Sequence, residues 1–205
     1  IALEDSEIVD NVRTTFASQE SPNPIIVGDS GSGKSKLAES ILAGIVRGDY
    51  PEIPRTVQVL NVDRGSLDAG ASFVGTMGMR LKILVTAAKI RPTIVFGKEL
   101  HTWRGAGTGS KDNVDAMQIL KPELEANTFR LLGDSTDTEL LKAYGGDTAI
   151  MRRLWIVPRG KINKARTLEM LDGWAGAYGM PKLAKEIKEF IFDMSERYLA
   201  AGAQP

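Results

Sequence analysis

Residues 25–35 read Ile25-Ile26-Val27-Gly28-Asp29-Ser30-Gly31-Ser32-Gly33-Lys34-Ser35, and this stretch decides the fold. The apolar run Ile25-Ile26-Val27 reads as a strand, and the residues from Lys34 through Leu42 read as a helix. Between them, Gly28 to Ser35 fits the pattern G-x-x-x-x-G-K-[ST]. Glycines let the backbone turn so that successive N–H groups point inward at an anion. The helix N-terminus adds partial positive charge at the same place. A Gly-rich turn could match by accident, but a strand before it and a helix after it argue for a triphosphate cradle. Gly28, Asp29, Ser30, Gly31, Ser32 and Gly33 would form that cradle. Lys34 would reach the β- and γ-phosphates, and the Ser35 hydroxyl would ligate Mg²⁺.

Working outward, five short apolar runs occupy residues 24–27, 56–62, 93–96, 129–132 and 154–157. Strands buried on both faces of a parallel sheet read this way. Helix-length segments alternate with them at 33–47, 67–89, 114–126 and 136–144. The alternation predicts an α/β fold, a doubly wound parallel five-stranded sheet. After Pro158 the character changes. Leu168, Leu171 and Trp174 mark one apolar stripe at helical spacing, and Leu183, Ile187, Ile191 and Met194 mark another. Helices are expected over 163–178 and 182–199, joined at Gly179-Met180-Pro181. The expected division is a nucleotide-binding α/β domain over 1–157 and the start of a small helical domain over 158–205. A first residue of Ile1 and an abrupt tail after Ala200 read as a piece of a longer protein.

Composition narrows the chemistry. Lys+Arg and Asp+Glu are both 26, a net charge of zero, so a cationic body built to coat nucleic acid or an anionic membrane is disfavoured. The chain has no cysteine, which removes disulfides and thiolate chemistry, and its one histidine cannot supply a multi-His metal site. No apolar run approaches the roughly 20 residues of a membrane span, and no signal peptide opens the sequence. The expectation is a soluble, cytoplasmic protein with no nucleic-acid or membrane partner.

A hydrolase of this class needs an acidic residue at the end of a second buried strand to hold Mg²⁺, and a carboxylate to polarise water. The relevant stretch is Thr93-Ile94-Val95-Phe96-Gly97-Lys98-Glu99. Glu99 stands at the water-activating position, unless it is an ordinary solvated carboxylate. Lys98 stands where the metal-binding Asp is expected. An ammonium roughly 5 Å from a divalent cation would be repelled by at most about 6–7 kcal/mol at an effective dielectric constant near 20. Lys98 must therefore leave the site, contact phosphate, or weaken metal binding.

Further stretches make the resemblance specific. Gly48-Asp49-Tyr50-Pro51-Glu52, Glu99-Leu100-His101-Thr102, Gly105-Ala106-Gly107, Ile119-Leu120-Lys121-Pro122, Arg152-Arg153 and Ser195-Glu196-Arg197-Tyr198-Leu199 occur in order along the chain. With the phosphate loop they resemble the first ATPase module of the Clp-type AAA+ unfoldases, the ClpA/ClpB/ClpC/ClpV group. Leu67-Asp68-Ala69-Gly70-Ala71-Ser72 is most similar to the ClpV branch. The resemblance implies a hexameric homo-oligomer that uses ATP to thread a polypeptide substrate through a central pore. It places Thr136 at a sensor of the γ-phosphate or attacking water, and Arg152 and Arg153 at arginine fingers reaching a neighbouring subunit's nucleotide. A planar cation there neutralises charge on the transferring phosphoryl group; without the resemblance the pair reads as surface charge. Ile8 and Val9 fall where adenine packs, with Leu168 opposite, or are simply core. Phe73, between glycines, falls on the pore loop that grips substrate, or packs inward. The stretch from Trp103 to Ser110 falls on a second pore-facing loop, and His101 reads as a structural hydrogen-bonder.

Three departures from the pattern stand out: Lys98 for the metal-site Asp, Gly97 for an apolar strand residue, and Thr76-Met77-Gly78-Met79 where acidic and aromatic residues usually follow. Two readings result. One is an ATPase module; the other is a degenerate module in which ATP supports assembly without efficient hydrolysis. A nucleic-acid motor is disfavoured by the neutral charge, and a metabolite kinase leaves the paired arginines unexplained.

Overall fold

Every residue of β1 (Asn23–Val27) is buried, and its side chains alternate between two apolar cores. Ile25 and Val27 enter one, and Ile26 enters the other. In β3 (Thr93–Gly97) and β4 (Arg130–Ser135) the division repeats, with Val95 and Leu131 on the first side and Ile94, Phe96 and Leu132 on the second. Strands covered on both faces have no solvent side to mark with polar residues, hence the unbroken apolar runs.

The computed structural model describes residues 6–17, 23–68, 76–105, 116–160 and 162–198. With β2 (Gln58–Val62) and β5 (Leu154–Pro158), the strands form one five-stranded sheet in the order β2-β3-β4-β1-β5, and all pairs are parallel. The crossovers run through α2 (Lys34–Arg47); α3 (Arg64–Asp68) and α4 (Thr76–Ile90); a 3₁₀ turn (Leu100–Trp103) and α5 (Ala116–Glu125); and α6 (Asp137–Tyr144) and α7 (Thr148–Met151). The doubly wound α/β fold is as the sequence implies.

Three details differ from the sequence reading. A helix, α1 (Ser6–Ala17), precedes the sheet, lies against β1 and buries Ile8, Val9 and Val12 in the apolar core that also holds Ile26 and Leu37. Arg13 secures it by an ion pair to Glu52 at 2.5 Å and by lying 5.5 Å from the centre of the Tyr50 ring. The segment expected as one helix over 67–89 is described as α3 and α4; α3 starts early because Asp63 Oδ1 accepts from the Ser66 amide at 2.6 Å. Residues 69–75 lie outside the described residues. Finally, β4 runs three residues past the expected end at Leu132, so that Gly133, Asp134 and Ser135 lie within the sheet beside β1.

Past β5, α8 (Lys164–Ala177) and α9 (Lys185–Tyr198) pack on each other. Lys188 pairs with Asp172 at 2.7 Å and Lys164 with Asp193 at 2.9 Å. No residue of α9 is buried. Among the described residues, no helix is long and apolar enough to cross a membrane.

Candidate active site

The chain turns sharply where β1 ends. The Val27 carbonyl accepts from the Arg159 amide at 2.6 Å, and a Cβ on Gly28 would lie 2.5 Å from the Arg159 carbonyl oxygen. Only glycine fits that approach. Gly31 (φ 79°) and Gly33 (φ 76°) then take left-handed backbone, which a side chain resists. The turn closes with the Ser32 amide on the Asp29 carbonyl at 3.2 Å. No side chain caps α2, and its first turn holds no acid. The amides that lack helical partners there are left to an outside acceptor. Lys34 Nζ reaches back across the loop to the Asp29 carbonyl at 2.6 Å.

A cavity of about 340 Å³ opens beside this loop, at the C-terminal ends of β1, β3 and β4. Ser30, Gly31, Lys34 and Ser35 line it, with Glu99 and Thr136 opposite. Gly28, Asp29, Ser32 and Gly33 shape the loop without lining the cavity. Thus the sheet brings together the phosphate-loop pair, the expected water-activating carboxylate and the expected sensor.

The end of β3 accounts for two of the three departures. A Cβ on Gly97 would lie 3.0 Å from Leu100, 3.1 Å from Trp103 and 3.3 Å from Leu131. Trp103 is fully buried, so the missing side chain at 97 is the space its ring occupies. Lys98 does not line the cavity; its Nζ lies 3.9 Å from Glu39 Oε1 on α2. Of the three outcomes expected for Lys98, the structure realises departure from the site. The next residue, Glu99, has φ 48°, a left-handed conformation uncommon for a residue with a side chain. It turns the chain into the 3₁₀ turn and leaves Glu99 on the cavity wall.

Asp134 is the site residue the sequence reading missed. It sits near the end of β4, 1% exposed. One carboxylate oxygen accepts from the Ser35 hydroxyl, and the other from the Glu99 amide at 2.5 Å. The sequence offered only an acid two residues past the apolar run 129–132; its place beside the phosphate-loop strand comes from the fold.

Thr136 is the N-cap of α6, and with Glu139 it forms a capping box. Its hydroxyl donates to Glu139 Oε2 at 2.7 Å and accepts from the Glu139 amide at 3.3 Å. Glu139 also lines the cavity. The Thr136 hydrogen bond, helped by the nearby His101 and Lys34, holds its carboxyl below the usual carboxylate range. His101 behaves as the expected hydrogen-bonder, with Nδ1 2.9 Å from Ser135 Oγ.

Other expected site residues lie elsewhere. Ile8 and Val9 are buried in the apolar core with Ile26 and Leu37, and Leu168 is half-buried on α8; none lines the cavity. Arg152 and Arg153 precede β5, at the opposite end of the sheet, where the Arg153 carbonyl accepts from the Asn23 amide at the start of β1. Arg152 is exposed, while Arg153 pairs with Glu125 at 2.6 Å. Phe73, and the second pore loop beyond Gly105, lie outside the described residues.

Parallel sheet, glycine cradle, Lys34 and Ser35 define a P-loop nucleotide-binding module. No protein-family profile matches the chain. Individual proteins do. The chaperone protein ClpB of Bacteroides thetaiotaomicron is 37% identical over 158 residues, covering 76% of this chain and 18% of ClpB. The AAA+ ATPase ClpV1 of Pseudomonas aeruginosa is 32% identical over 188 residues, covering 89% of this chain and 21% of that protein. Among solved structures, the S. cerevisiae Hsp104–ADP complex shares the fold with a TM-score of 0.79 and 23% identity, over 97% of this chain and 34% of that one. The chain is a relative of the Clp-type AAA+ ATPases, and it spans about a fifth of the length of the curated relatives it matches.

Proposed function

We propose that this chain binds and hydrolyses ATP as the AAA+ module of a hexameric machine that threads polypeptides. The observation that carries the reading is the convergence of an uncapped helix N-terminus, Lys34, Ser35 and Glu99 on one cavity. The amides of the loop and the Lys34 ammonium would hold the phosphate tail. Glu99 would orient and deprotonate the attacking water, with Thr136 reporting the γ-phosphate. Exposed Arg152 would act on the nucleotide of a neighbouring copy, which its place at the far end of the sheet favours, with Arg153, tied to Glu125, holding the backbone beside it. Ile8, Val9 and Leu168 would flank the adenine, and Phe73 would grip the threaded chain. The hard hydroxyl oxygen of Ser35, with the Asp134 carboxylate behind it, suits Mg²⁺, which when bound would neutralise charge on the phosphates.

ClpB is a chaperone and ClpV1 an AAA+ ATPase, and the carry-over of those activities, with the hexamer and the polypeptide substrate, belongs to this proposal. Phosphate release by the assembled full-length protein tests it. Turnover should exceed that of Lys34→Ala severalfold; equal rates would remove the enzyme reading.

A second reading rests on Thr136, whose hydroxyl donates its hydrogen bond to Glu139, and on Lys98, which puts a cation and no acid just past β3. In it, ATP stabilises the assembly by mass action with little turnover. Phosphate release by Lys98→Asp separates the two: a large gain marks a degenerate site, and an unchanged rate favours the first reading.

A further inference from the structure

β3 and β4 run in register, with Gly97 opposite Gly133. The residues that follow are Lys98, in the turn just past β3, and Asp134, still within β4, so a cation and an acid come directly after the two facing glycines. The cation has turned to Glu39 on α2. The acid has turned inward, is buried, and accepts a hydrogen bond from the Ser35 hydroxyl.

We propose that Asp134 is the acid of a divalent-cation site at Ser35, standing one strand away from the position that Lys98 has vacated. This rests on the nucleotide reading above and deepens it. A serine hydroxyl has one proton to give and two lone pairs to offer. With its proton committed to Asp134, the Ser35 oxygen keeps its lone pairs for a metal, and the carboxylate adds negative charge beside it. The Glu99 amide holds the other carboxylate oxygen, which fixes the plane of the group. Such partners orient and polarise a metal ligand, and their loss costs about 10- to 100-fold in metal affinity. Asp134 is thereby a positioning residue that acts on the cation through Ser35. Among the described residues, no group of three or more acidic, histidine or cysteine side chains is placed to hold a metal ion by itself.

The test is ADP affinity by calorimetry on the full chain, with Mg²⁺ and with chelator, the ratio being the Mg²⁺ increment. Asp134→Asn keeps the shape and should retain chelator-state ADP affinity while losing about tenfold or more of the increment. Lys98→Asp in that background should recover it, which a purely structural role for Asp134 would not allow. Lys98→Asp alone, at a partly exposed position where folding is not at stake, should change the increment by less than about threefold, because the site already has its acid. A tenfold gain from that single change, or an undiminished increment in Asp134→Asn, overturns the proposal. No ADP binding with chelator or with Mg²⁺ would instead remove the nucleotide reading, and this inference with it.

Discussion

The two ends of the parallel sheet are built in opposite ways. At the C-terminal end of β1, polar groups face an open cavity: Lys34, Ser35, Glu99 and Glu139 all line it. At the N-terminal end they close on one another. Asn23 Oδ1 accepts from the Leu131 amide at 2.8 Å, its own amide donates to Arg153, and Arg153 is tied to the Ala149 carbonyl and to Glu125. Arg152 is the exception, an exposed cation on a stapled edge. A five-residue strand spans about 16 Å, too far for an arginine at one end to serve a phosphate at the other. One copy therefore carries the cradle and the two arginines at opposite ends of the sheet, and on the proposed reading a complete site would need a second copy.

The largest effect should come from breaking that division. Arg152→Ala is expected to lower phosphate release by the assembled protein about 1,000-fold, the low end for an arginine finger. ADP affinity of the isolated chain should stay within about twofold, since the cavity in that copy is intact. Arg153→Ala should act differently, lowering folding stability by about 1 kcal/mol through the lost ion pair. Equal turnover losses in the two variants would erase the distinction between a free and a stapled arginine.

Next in size is Lys34→Ala at the cavity end. A hydrogen bond to a charged group is worth about 1.5–3 kcal/mol, so ADP affinity should fall about 10- to 150-fold by calorimetry. Melting temperature without nucleotide should hold, because the one bond lost is to the Asp29 carbonyl at the surface. An unchanged affinity would mean that the cradle binds no phosphate.

The cavity end was also the part most legible from sequence. The phosphate loop must be glycine where the backbone meets Arg159 and turns left-handed, so its chemistry is written locally. Asp134 was not legible because its meaning is not local: it depends on β4 continuing past Leu132 and lying beside β1. Lys98 was visible as an anomaly, but its partner Glu39 sits on α2, which only the folded chain brings near. Gly97 likewise stood out only as a departure from the apolar pattern of a strand. Its reason is the ring of Trp103, six residues on and folded back by the 3₁₀ turn. Helix α1 carries apolar residues at helical spacing, but nothing in them announces that Arg13 will reach Glu52.

That reading of Gly97 sharpens to a stability measurement. Gly97→Val drives two further methyl groups toward Leu100 and Trp103, where the first carbon is already at 3.0 and 3.1 Å. Overpacking of this kind costs about 1–3 kcal/mol, read as a lower urea midpoint. A neutral result would mean that Trp103 is free to move, and that the β3 end is not the rigid platform from which Glu99 projects.

The smallest effect tests the stapled end through pH. Asp147 caps α7, the helix leading to Arg152; its Oδ1 accepts from the Ile150 amide at 3.1 Å and lies 3.1 Å from Lys121 Nζ. The Ile150 amide first, and then Lys121, hold its carboxyl below its ordinary value of 3.8. A pKa depressed in the folded state means that the carboxylate is favoured by folding. Its stabilisation is therefore complete above the unfolded-state value and disappears as pH falls through the lower, folded-state one. Asp147→Asn preserves the cap, since Asn is as good an N-cap as Asp, but discards the charge. At pH 7 the wild type should be more stable than this variant by less than about 1 kcal/mol, as befits a surface ion pair. At pH 3 the gap should narrow, and the two denaturation curves should converge on further acidification. A gap that widened in acid would reverse the sign required of a depressed carboxylate, and would move the hold on α7 from Lys121 to some group that gains a proton.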